Sequence, residues 1–222
     1  MFFGQNTFVF ICFLNNFSYL CARIENYVMI QAKEIKRRIT SGRRNRLYFT
    51  SDFADMKNDG VVARTLSRLA TDGLLYRIAQ GIYLYPLRNA YGIQKPPLDK
   101  IAEAVAGKYH SNIIPSGLTA LNRLGFSTQV PMNAVYITDG TPRTINIGAR
   151  SILFKKGVPR HFAYSSKTFS ILVMALKEIG KAGITDEVLQ KTRDLLQHET
   201  PTNLEHDLAI APLWIRKLIN KL

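Results

Sequence analysis

The alternation of apolar and polar residues between positions 47 and 86 predicts a compact series of short elements. An aromatic and β-branched run at residues 48–50 indicates a strand, after which the Ser51 hydroxyl is expected to cap a short helix. Turn residues at positions 57–60 separate this helix from a second one over about residues 61–71. The segment therefore begins as a strand followed by two closely spaced helices.

A tight β-hairpin follows the second helix. Leu74, Tyr76 and Ile78 alternate toward a turn at residues 79–81, and a second apolar strand returns and ends at Pro86. A strand, two helices and a hairpin in this order are typical of a winged helix-turn-helix, which points to DNA binding.

The second helix has two distinct faces. Helical spacing places Val62, Leu66 and Leu69 on a packed face. The opposite face is expected to be free and carries Val61, Arg64, Thr65, Arg68 and Thr71. Arg64 and Arg68 lie one turn apart, which suits guanidinium contacts to guanine in a major groove, although a solvated arginine face explains the same pattern.

The hairpin and the chain before the first strand add further basic residues. Arg77 and Gln80 lie near the hairpin tip, which we expect to project beside the second helix and to contact phosphates or the minor groove. A basic cluster before the strand could clamp phosphates, or could form a solvated charge run. The cluster consists of Lys36, Arg37, Arg38, Arg43, Arg44 and Arg46. The predicted DNA-binding residues are Arg43, Arg44, Arg46, Thr50, Ser51, Arg64, Thr65, Arg68, Arg77 and Gln80.

The charge balance agrees with a polyanionic partner. The chain carries 30 Lys and Arg against 16 Asp and Glu, a formal net charge of +14. The segment Met29 to Lys95 holds 13 basic and 5 acidic residues, whereas the longer segment from Pro96 onward holds 16 and 10. The basic excess is therefore densest in the predicted DNA-binding region.

Composition shifts divide the chain into four parts. Residues 1–22 form an apolar leader without the basic start of a signal peptide and too short in its apolar run to span a membrane, so we expect it to precede the true start of the protein. Both cysteines, Cys12 and Cys21, lie in it, so no disulfide is expected and a reducing cytoplasm is the simplest setting. A winged-helix domain over residues 23–88 and a Pro-rich linker over 89–97 are predicted to follow.

The remaining part, residues 98–222, is predicted to be a second domain of α+β class. An apolar helix starts at Leu98, and Ser116 is expected to cap a further short helix. Short β-branched runs at 133–138, 143–147 and 151–155 predict a meander or small sheet, and helices are expected over 168–179, 185–197 and 212–222.

Catalytic or metal-binding patterns are weak in this second domain. Its histidines, His110, His161, His198 and His206, lack ligand-pair spacing, and His206 is expected to lie in an exposed polar cluster. The carboxylates, among them Asp139 and Asp194, do not form the spacing of a two-metal nuclease, although distant carboxylates can converge in space. We therefore predict no enzyme, no metal and no cofactor.

Several ordered segments carry a resemblance to a known family. The segments are VARTLSRLATDGLLYRIAQGIYLYP, SGLTALNRLGFSTQVP, VYITDG, RTINIG and ILFKKGVPR, and they resemble the AbiEi family of type IV toxin-antitoxin antitoxins. The resemblance implies a winged-helix domain that binds inverted repeats in its own promoter as an autorepressor. It also implies a C-terminal domain that counters a nucleotidyltransferase-like toxin encoded next to it. The apolar leader departs from the family pattern.

Two other function classes remain open. A stand-alone winged-helix regulator would use its second domain for dimerisation or for a small ligand, and an adjacent toxin gene would separate this reading from the antitoxin reading. A nuclease would instead cut DNA only in the presence of a divalent metal, so chelation would abolish its activity.

Overall fold

The protein has an α+β fold made of two compact units. The computed structural model describes residues 27–56 and 58–222. The first unit ends at Lys95 and the second begins at Pro96. The predicted leader over residues 1–22, with both cysteines, lies outside the described residues. No helix in the described part of the chain combines the length and the apolar character that crossing a membrane requires.

Three helical segments and a three-stranded sheet form most of the first unit. In chain order its elements are α1 (residues 27–40), β1 (Arg46–Phe49), a 3₁₀ helix (Thr50–Phe53), α2 (Asp59–Thr71), β2 (Tyr76–Ala79) and β3 (Ile82–Tyr85). The strands lie in the order β1-β3-β2, and both pairings are antiparallel. The central strand β3 is buried along its whole length.

Local hydrogen bonds explain where the two short helices begin. Helix α2 starts two residues earlier than predicted, because the Asn58 side chain accepts a hydrogen bond from the Val61 amide at 3.2 Å. The prediction that Ser51 caps the preceding helix is wrong. The Asp52 carboxylate accepts from the Phe49 amide at 2.8 Å, which places Ser51 inside the 3₁₀ turn.

The core of the first unit joins α1, α2 and the sheet. Ile35, Ile39 and Leu66 are fully buried there, as is Phe53 from the 3₁₀ helix. The predicted packed face of α2 is confirmed, since Val62, Leu66 and Leu69 are all buried. This packing fixes how α2 presents its opposite side.

A second hairpin occupies the segment predicted to be a linker. Strands β4 (Leu87–Asn89) and β5 (Gly92–Gln94) pair with each other antiparallel, and Tyr91 at their turn is 98% exposed. Two contacts hold this hairpin against the rest of the first unit. Arg88 Nη2 donates to the Gly73 carbonyl at 2.5 Å, and the Lys95 ammonium lies 4.8 Å from the centre of the Tyr76 ring. These contacts order a stretch that has few apolar residues to bury, and the boundary between the two units falls within the predicted linker.

The second unit contains one four-stranded sheet and several helices. Its elements are α3 (Leu98–Lys108), β6 (Ile113–Pro115), α4 (Leu118–Arg123), β7 (Asn133–Thr138), β8 (Arg143–Ile147), β9 (Arg150–Lys156), a 3₁₀ helix (Pro159–Phe162), α5 (Lys167–Ile179), a 3₁₀ turn (Lys181–Gly183), α6 (Asp186–Leu196), α7 (Pro201–Ile210) and α8 (Leu213–Ile219). The sheet order is β6-β7-β9-β8.

Of the two predicted arrangements, a meander or a small sheet, the structure has the small sheet. Strands β7 and β9 are parallel neighbours, while β6 and β8 pair antiparallel on the two outer sides. Ser116 does not cap α4. Gly117, at φ 58°, occupies the N-cap position, and the Ser116 amide donates to the Val135 carbonyl at 2.9 Å. Strand β6 and helix α7 are elements that the sequence patterns did not predict.

Helix α5 is the most buried helix of the second unit. Eight consecutive residues of α5, Phe169 to Leu176, are buried and contact α4 on one side and α8 on another. Tyr136 of β7 is also buried, and its hydroxyl donates to Asp99 at the start of α3. Burial raises the pKa of the Tyr136 hydroxyl, and the bond to Asp99 raises it further.

Candidate nucleic-acid interface

The outward face of α2 is narrower than predicted. Arg64 and Arg68 are exposed, together with Ser67 and Thr71. Val61 and Thr65, which were also predicted on the free face, are only 3% and 5% exposed. That prediction is wrong because these two side chains turn toward α1. Thr65 is therefore not available to contact a DNA base.

A groove separates α1 from this side of α2. It encloses about 740 Å³ and has apolar walls made by Val28, Met29, Ala32, Val61 and Leu69. Lys33 and Lys36 of α1 line it together with Arg64 and Arg68 of α2. The structure thus brings two predicted arginines together with two lysines from a different helix.

These four cations have no carboxylate partner among the described residues. Arg64 Nε donates only to the Gly60 carbonyl one turn earlier, at 3.2 Å. Among the described residues, Asp72 is the one acidic residue that lines the groove. Four positive charges around one groove create a local field that attracts phosphate groups.

The arginines near the end of α1 behave differently from those of α2. Arg38 donates to Asp55 through both Nη atoms, at 3.0 and 2.6 Å, and to Glu34 at 2.9 Å. Arg37 also pairs with Glu34, at 2.7 Å. These hydrogen bonds lower the pKa of Glu34 to about 2 and lower the pKa of Asp55. Two arginines of the predicted phosphate clamp are therefore already neutralised.

Two arginines beside β1 stack on aromatic rings of their own unit. The Arg44 guanidinium lies 4.0 Å from the centre of the Tyr85 ring and donates to the Pro86 carbonyl at 3.3 Å. Arg46 lies 5.2 Å from the Tyr48 ring. Both remain exposed, as does Arg43. These three arginines form a basic rim next to β1, in which stacking fixes the positions of Arg44 and Arg46.

The first hairpin does not project freely. Strand β3 pairs with β1 as well as with β2, and the Thr50 amide donates to the Gly81 carbonyl at 3.1 Å. The expectation of a projecting hairpin is thus corrected, because the turn is held against the 3₁₀ helix. Arg77 and Gln80 are nevertheless exposed.

Thr50 and Ser51 lie away from the groove. They line a separate cavity of about 360 Å³ with Ala54 and the first residues of α2. Ser51 is exposed, whereas Thr50 is half-buried beneath the hairpin turn. The predicted set therefore divides into the groove residues, the rim beside β1, this second cavity, and Arg77 and Gln80 on the hairpin.

Lys33 is a groove residue that the sequence reasoning missed. The sequence offered one indication of its role, namely that Lys33 and Lys36 are spaced to lie one turn apart on a helix. That signal could not indicate that their side of α1 faces Arg64 and Arg68. Arg37 and Arg38 pair with carboxylates, whereas Lys36 does not among the described residues. This difference depends on the folded structure and could not be predicted from the sequence pattern.

A second polar cluster lies at the start of α5. The buried carboxylate of Asp207 accepts hydrogen bonds from the amides of Ser165 and Ser166, at 2.7 and 2.8 Å. His206 Nδ1 lies 3.0 Å from both the Ser165 hydroxyl and Asp207. The Ser166 hydroxyl caps α5 and also donates to Glu199 at 2.5 Å. The prediction of an exposed polar cluster is confirmed for Glu205 and His206, which are exposed, but not for Asp207, which is fully buried.

This cluster contains the residue types of a catalytic triad but not its geometry. In a triad one imidazole nitrogen contacts the serine and the other contacts the carboxylate. Here the same nitrogen, His206 Nδ1, contacts both Ser165 and Asp207, so no proton can pass across the ring between them. The cluster acts as an anchor for the start of α5. Within the described ranges, no group of three or more His, Cys, Asp or Glu side chains is arranged to hold a metal ion.

One protein family matches this chain. A family model described as a family of unknown function, DUF6088, matches residues 34–204, which include α2, the groove cations of α2 and most of the second unit. No curated protein matches the sequence.

Proposed function

The chain belongs to the DUF6088 family, a family of unknown function, and we propose that it is a sequence-specific DNA-binding regulator. The observation that carries the proposal is the pair of exposed arginines Arg64 and Arg68, one turn apart on α2 and without a carboxylate partner in the part of the chain that the structure describes. Guanidinium groups at this spacing suit contacts to guanine edges in a major groove.

The arrangement of elements around α2 supports this proposal. Helix, strand, short helix, helix and two strands follow each other in the first unit, with sheet order β1-β3-β2. We interpret this unit as a winged helix-turn-helix in which α2 is the recognition helix and the β2–β3 hairpin is a short wing. Arg77 and Gln80 on that wing would contact the DNA backbone, since both are exposed.

The remaining cations would supply affinity without sequence preference. Lys33 and Lys36 lie across the groove from the recognition helix, and Arg43, Arg44 and Arg46 form the rim beside β1. Contacts from such groups to phosphates release counterions, so binding weakens steeply as salt rises. We propose a cytoplasmic protein with double-stranded DNA, specifically its own promoter, as its partner.

The resemblance to AbiEi antitoxins extends the proposal to the second unit. We propose that the chain is an autorepressor and antitoxin, and that its second unit counters a nucleotidyltransferase-like toxin encoded next to it. A stand-alone regulator is the alternative for a chain whose gene has no such neighbour. Both readings share the same DNA-binding first unit.

The proposal is tested by measuring affinity for the DNA upstream of the chain's own gene. We expect Arg68→Ala to weaken binding to this duplex by about 1 to 3 kcal/mol and to reduce its preference over unrelated duplexes. Lys36→Ala should weaken all duplexes alike and lower the salt slope by roughly one unit. Fluorescence anisotropy at several salt concentrations measures both effects.

Arg150→Ala provides the matched control, since Arg150 is an exposed arginine of the second unit. Its affinity should equal that of the wild type. Two results would contradict the assignment of base readout to α2. One is an equal loss of affinity in Arg68→Ala and Arg150→Ala, and the other is a loss of affinity in Arg68→Ala that is the same for all duplexes. Added Mg²⁺ should leave the bound DNA intact, whereas cutting that requires Mg²⁺ and is abolished by a chelator would favour a nuclease.

A further inference from the structure

The groove between α1 and α2 combines an apolar floor with a cationic rim. Its accessible apolar surface comes from Val28, Met29 and Ala32 of α1. Val61 and Leu69 of α2, which are only 3% and 5% exposed, close its floor. Its volume of about 740 Å³ falls within the range of about 300 to 1,000 Å³ that is usual for small-molecule pockets. A duplex surface, which presents phosphates and base edges, does not require an apolar floor of this kind.

The rim of the groove defines the charge of its occupant. Lys33 and Lys36 lie on one side and Arg64 and Arg68 on the other, and Asp72 is the one acidic residue between them. None of these four cations pairs with a carboxylate in the described part of the chain. An occupant that is both apolar and negatively charged would satisfy the floor and the rim together.

We propose that this groove binds a single-chain amphipathic anion, with its alkyl chain on the apolar floor and its carboxylate or phosphate head on the four cations. The competition described below rests on the proposed function, because it requires that Arg64 and Arg68 also bind DNA. Binding of the anion itself does not require it.

Charge excludes the other simple occupants. A second copy of this chain would place the same four cations against themselves if the two grooves faced each other, which is repulsive at short range. A neutral apolar ligand would leave the cations of the rim without a partner and would lower their hydration. An amphipathic anion has neither cost.

The shared arginines make the groove a regulatory site. An anionic head group on Arg64 and Arg68 removes these side chains from DNA, so the anion and the duplex exclude each other. Linkage requires that each partner weakens the other by the same factor. The ligand therefore acts as an inducer that releases the protein from its operator.

Direct binding is measured first, by isothermal titration calorimetry of the full chain with dodecanoate below its critical micelle concentration. We expect saturable one-to-one binding, and affinity should fall by about two- to fourfold for each methylene removed as dodecanoate is replaced by decanoate and octanoate. Dodecyltrimethylammonium, which has the same chain and the opposite charge, should not bind. Binding that is independent of chain length would overturn the proposal.

Two variants locate the site. Ala32→Phe fills the groove from the α1 wall and should weaken dodecanoate binding at least tenfold while Arg64 and Arg68 remain in place. Lys33→Glu reverses one rim charge and should weaken dodecanoate several-fold, whereas Lys181→Glu, at an exposed lysine of the second unit, should not. Thermal unfolding of each variant verifies that it is folded. Wild-type affinity in both groove variants would overturn the proposal.

Competition with DNA then tests the regulatory part. At ten times its own dissociation constant, dodecanoate should weaken the affinity for the upstream duplex roughly tenfold in the wild type, and much less in Ala32→Phe. If dodecanoate binds as described and no duplex binds at all, the groove is a ligand site and the proposed DNA-binding function is wrong. If the duplex binds and dodecanoate does not displace it, the inference is wrong and the DNA-binding function stands. Binding to anionic phospholipid vesicles without binding of free dodecanoate would also overturn it.

Discussion

Arg38 connects two parts of the first unit through a single guanidinium group. It pairs with Glu34 on its own helix and with Asp55 beyond the 3₁₀ helix, the latter through two nearly parallel hydrogen bonds. Bidentate pairs of this kind hold both planar groups in a fixed orientation. Arg38 thus fixes the position of α1 against the chain that leads into α2, and with it one wall of the groove.

The carboxylates of this network predict a loss of stability in acid. The pKa of Glu34 is lowered from 4.5 to about 2, and the pKa of Asp55 is also lowered. A lowered folded-state pKa stabilises the fold above the unfolded pKa, and this contribution is lost as pH falls through the folded pKa. We expect Asp55→Asn to lower the urea midpoint near pH 7, with the difference from wild type shrinking as pH falls from about 5 toward 2.

Arg37→Ala is the control for that experiment, because Arg37 pairs with Glu34 only, within one helix. Its effect on the urea midpoint near pH 7 should be smaller than that of Asp55→Asn. A difference between wild type and Asp55→Asn that stays constant from pH 7 to pH 3 would show that the pair with Arg38 does not titrate as described.

Asp207 is the buried carboxylate whose removal should affect the second unit most. Its oxygens accept from the amides of Ser165 and Ser166, so Asp207→Ala removes the partner of the buried Ser166 amide and of the part-buried Ser165 amide. We expect a loss of about 3 kcal/mol in the free energy of unfolding, measured by urea denaturation followed by Trp214 fluorescence. Trp214 packs against the core of the same unit, so its emission reports on this unit.

His206→Ala separates an anchoring role from a catalytic one. The His206 side chain is 53% exposed, so its loss should cost less than about 1 kcal/mol. A loss as large as that of Asp207→Ala would show that the imidazole, rather than the backbone bonds, holds the start of α5.

Elements with strong local patterns are the ones that the sequence predicted. Strands β7 and β8 match their predicted bounds, because β-branched residues alternate there and turn residues flank them. The packed face of α2 was predicted for the same reason. Helix α7 and strand β6 were not predicted. Apolar residues are not gathered on one face of α7, and β6 has only three residues, of which one is proline.

Features that depend on contacts between distant residues were beyond the reach of these patterns. The parallel pairing of β7 with β9 places the last strand between two earlier ones, which no local rule indicates. In the candidate site, Arg64 and Arg68 were identified from helical spacing. The burial of Thr65 and the position of Lys33 in the groove could not be predicted, because both depend on where α1 packs.

Two glycines test how tightly the elements of the second unit pack. A Cβ on Gly157, after β9, would lie 2.4 Å from Ile137 Cγ2 and 2.7 Å from the Phe162 ring, and both side chains have little freedom to move. We expect Gly157→Ala to destabilise the protein by about 1 to 3 kcal/mol. Thermal or urea unfolding measures the change.

Gly107→Ala is the matched substitution with the opposite sign. Gly107 lies in α3, is exposed, and has no atom within 4 Å of the added Cβ. Alanine is the better helix former by about 0.5 to 1 kcal/mol, so this variant should be more stable than wild type. A stabilised Gly157→Ala or a destabilised Gly107→Ala would contradict the packing described for these elements.

At the scale of the whole molecule, charge and buried polar chemistry are distributed unequally. The four cations of the groove lie in the first unit, whereas the second unit contains the Asp207 anchor and the network of Tyr136, Asp99 and Arg123. Arg123 Nη1 donates to Asp99 at 3.0 Å, so this arginine serves an internal contact. A protein that binds a polyanion through one unit leaves the other free for a different partner.

This division predicts that DNA binding and toxin neutralisation are separable. The Arg64→Ala/Arg68→Ala double variant removes two exposed side chains without touching a core residue, so it should fold and lose operator binding. If a nucleotidyltransferase-like protein is encoded next to this chain, the double variant should still restore growth to cells that express that protein, because the second unit is unchanged. Growth curves of co-expressing cells, with wild type and empty vector as references, measure the effect. Restoration by the wild type but not by the double variant would place neutralisation in the first unit. Failure of the wild type itself would favour the stand-alone regulator, because the DNA-binding surface would then be the protein's whole regulatory activity.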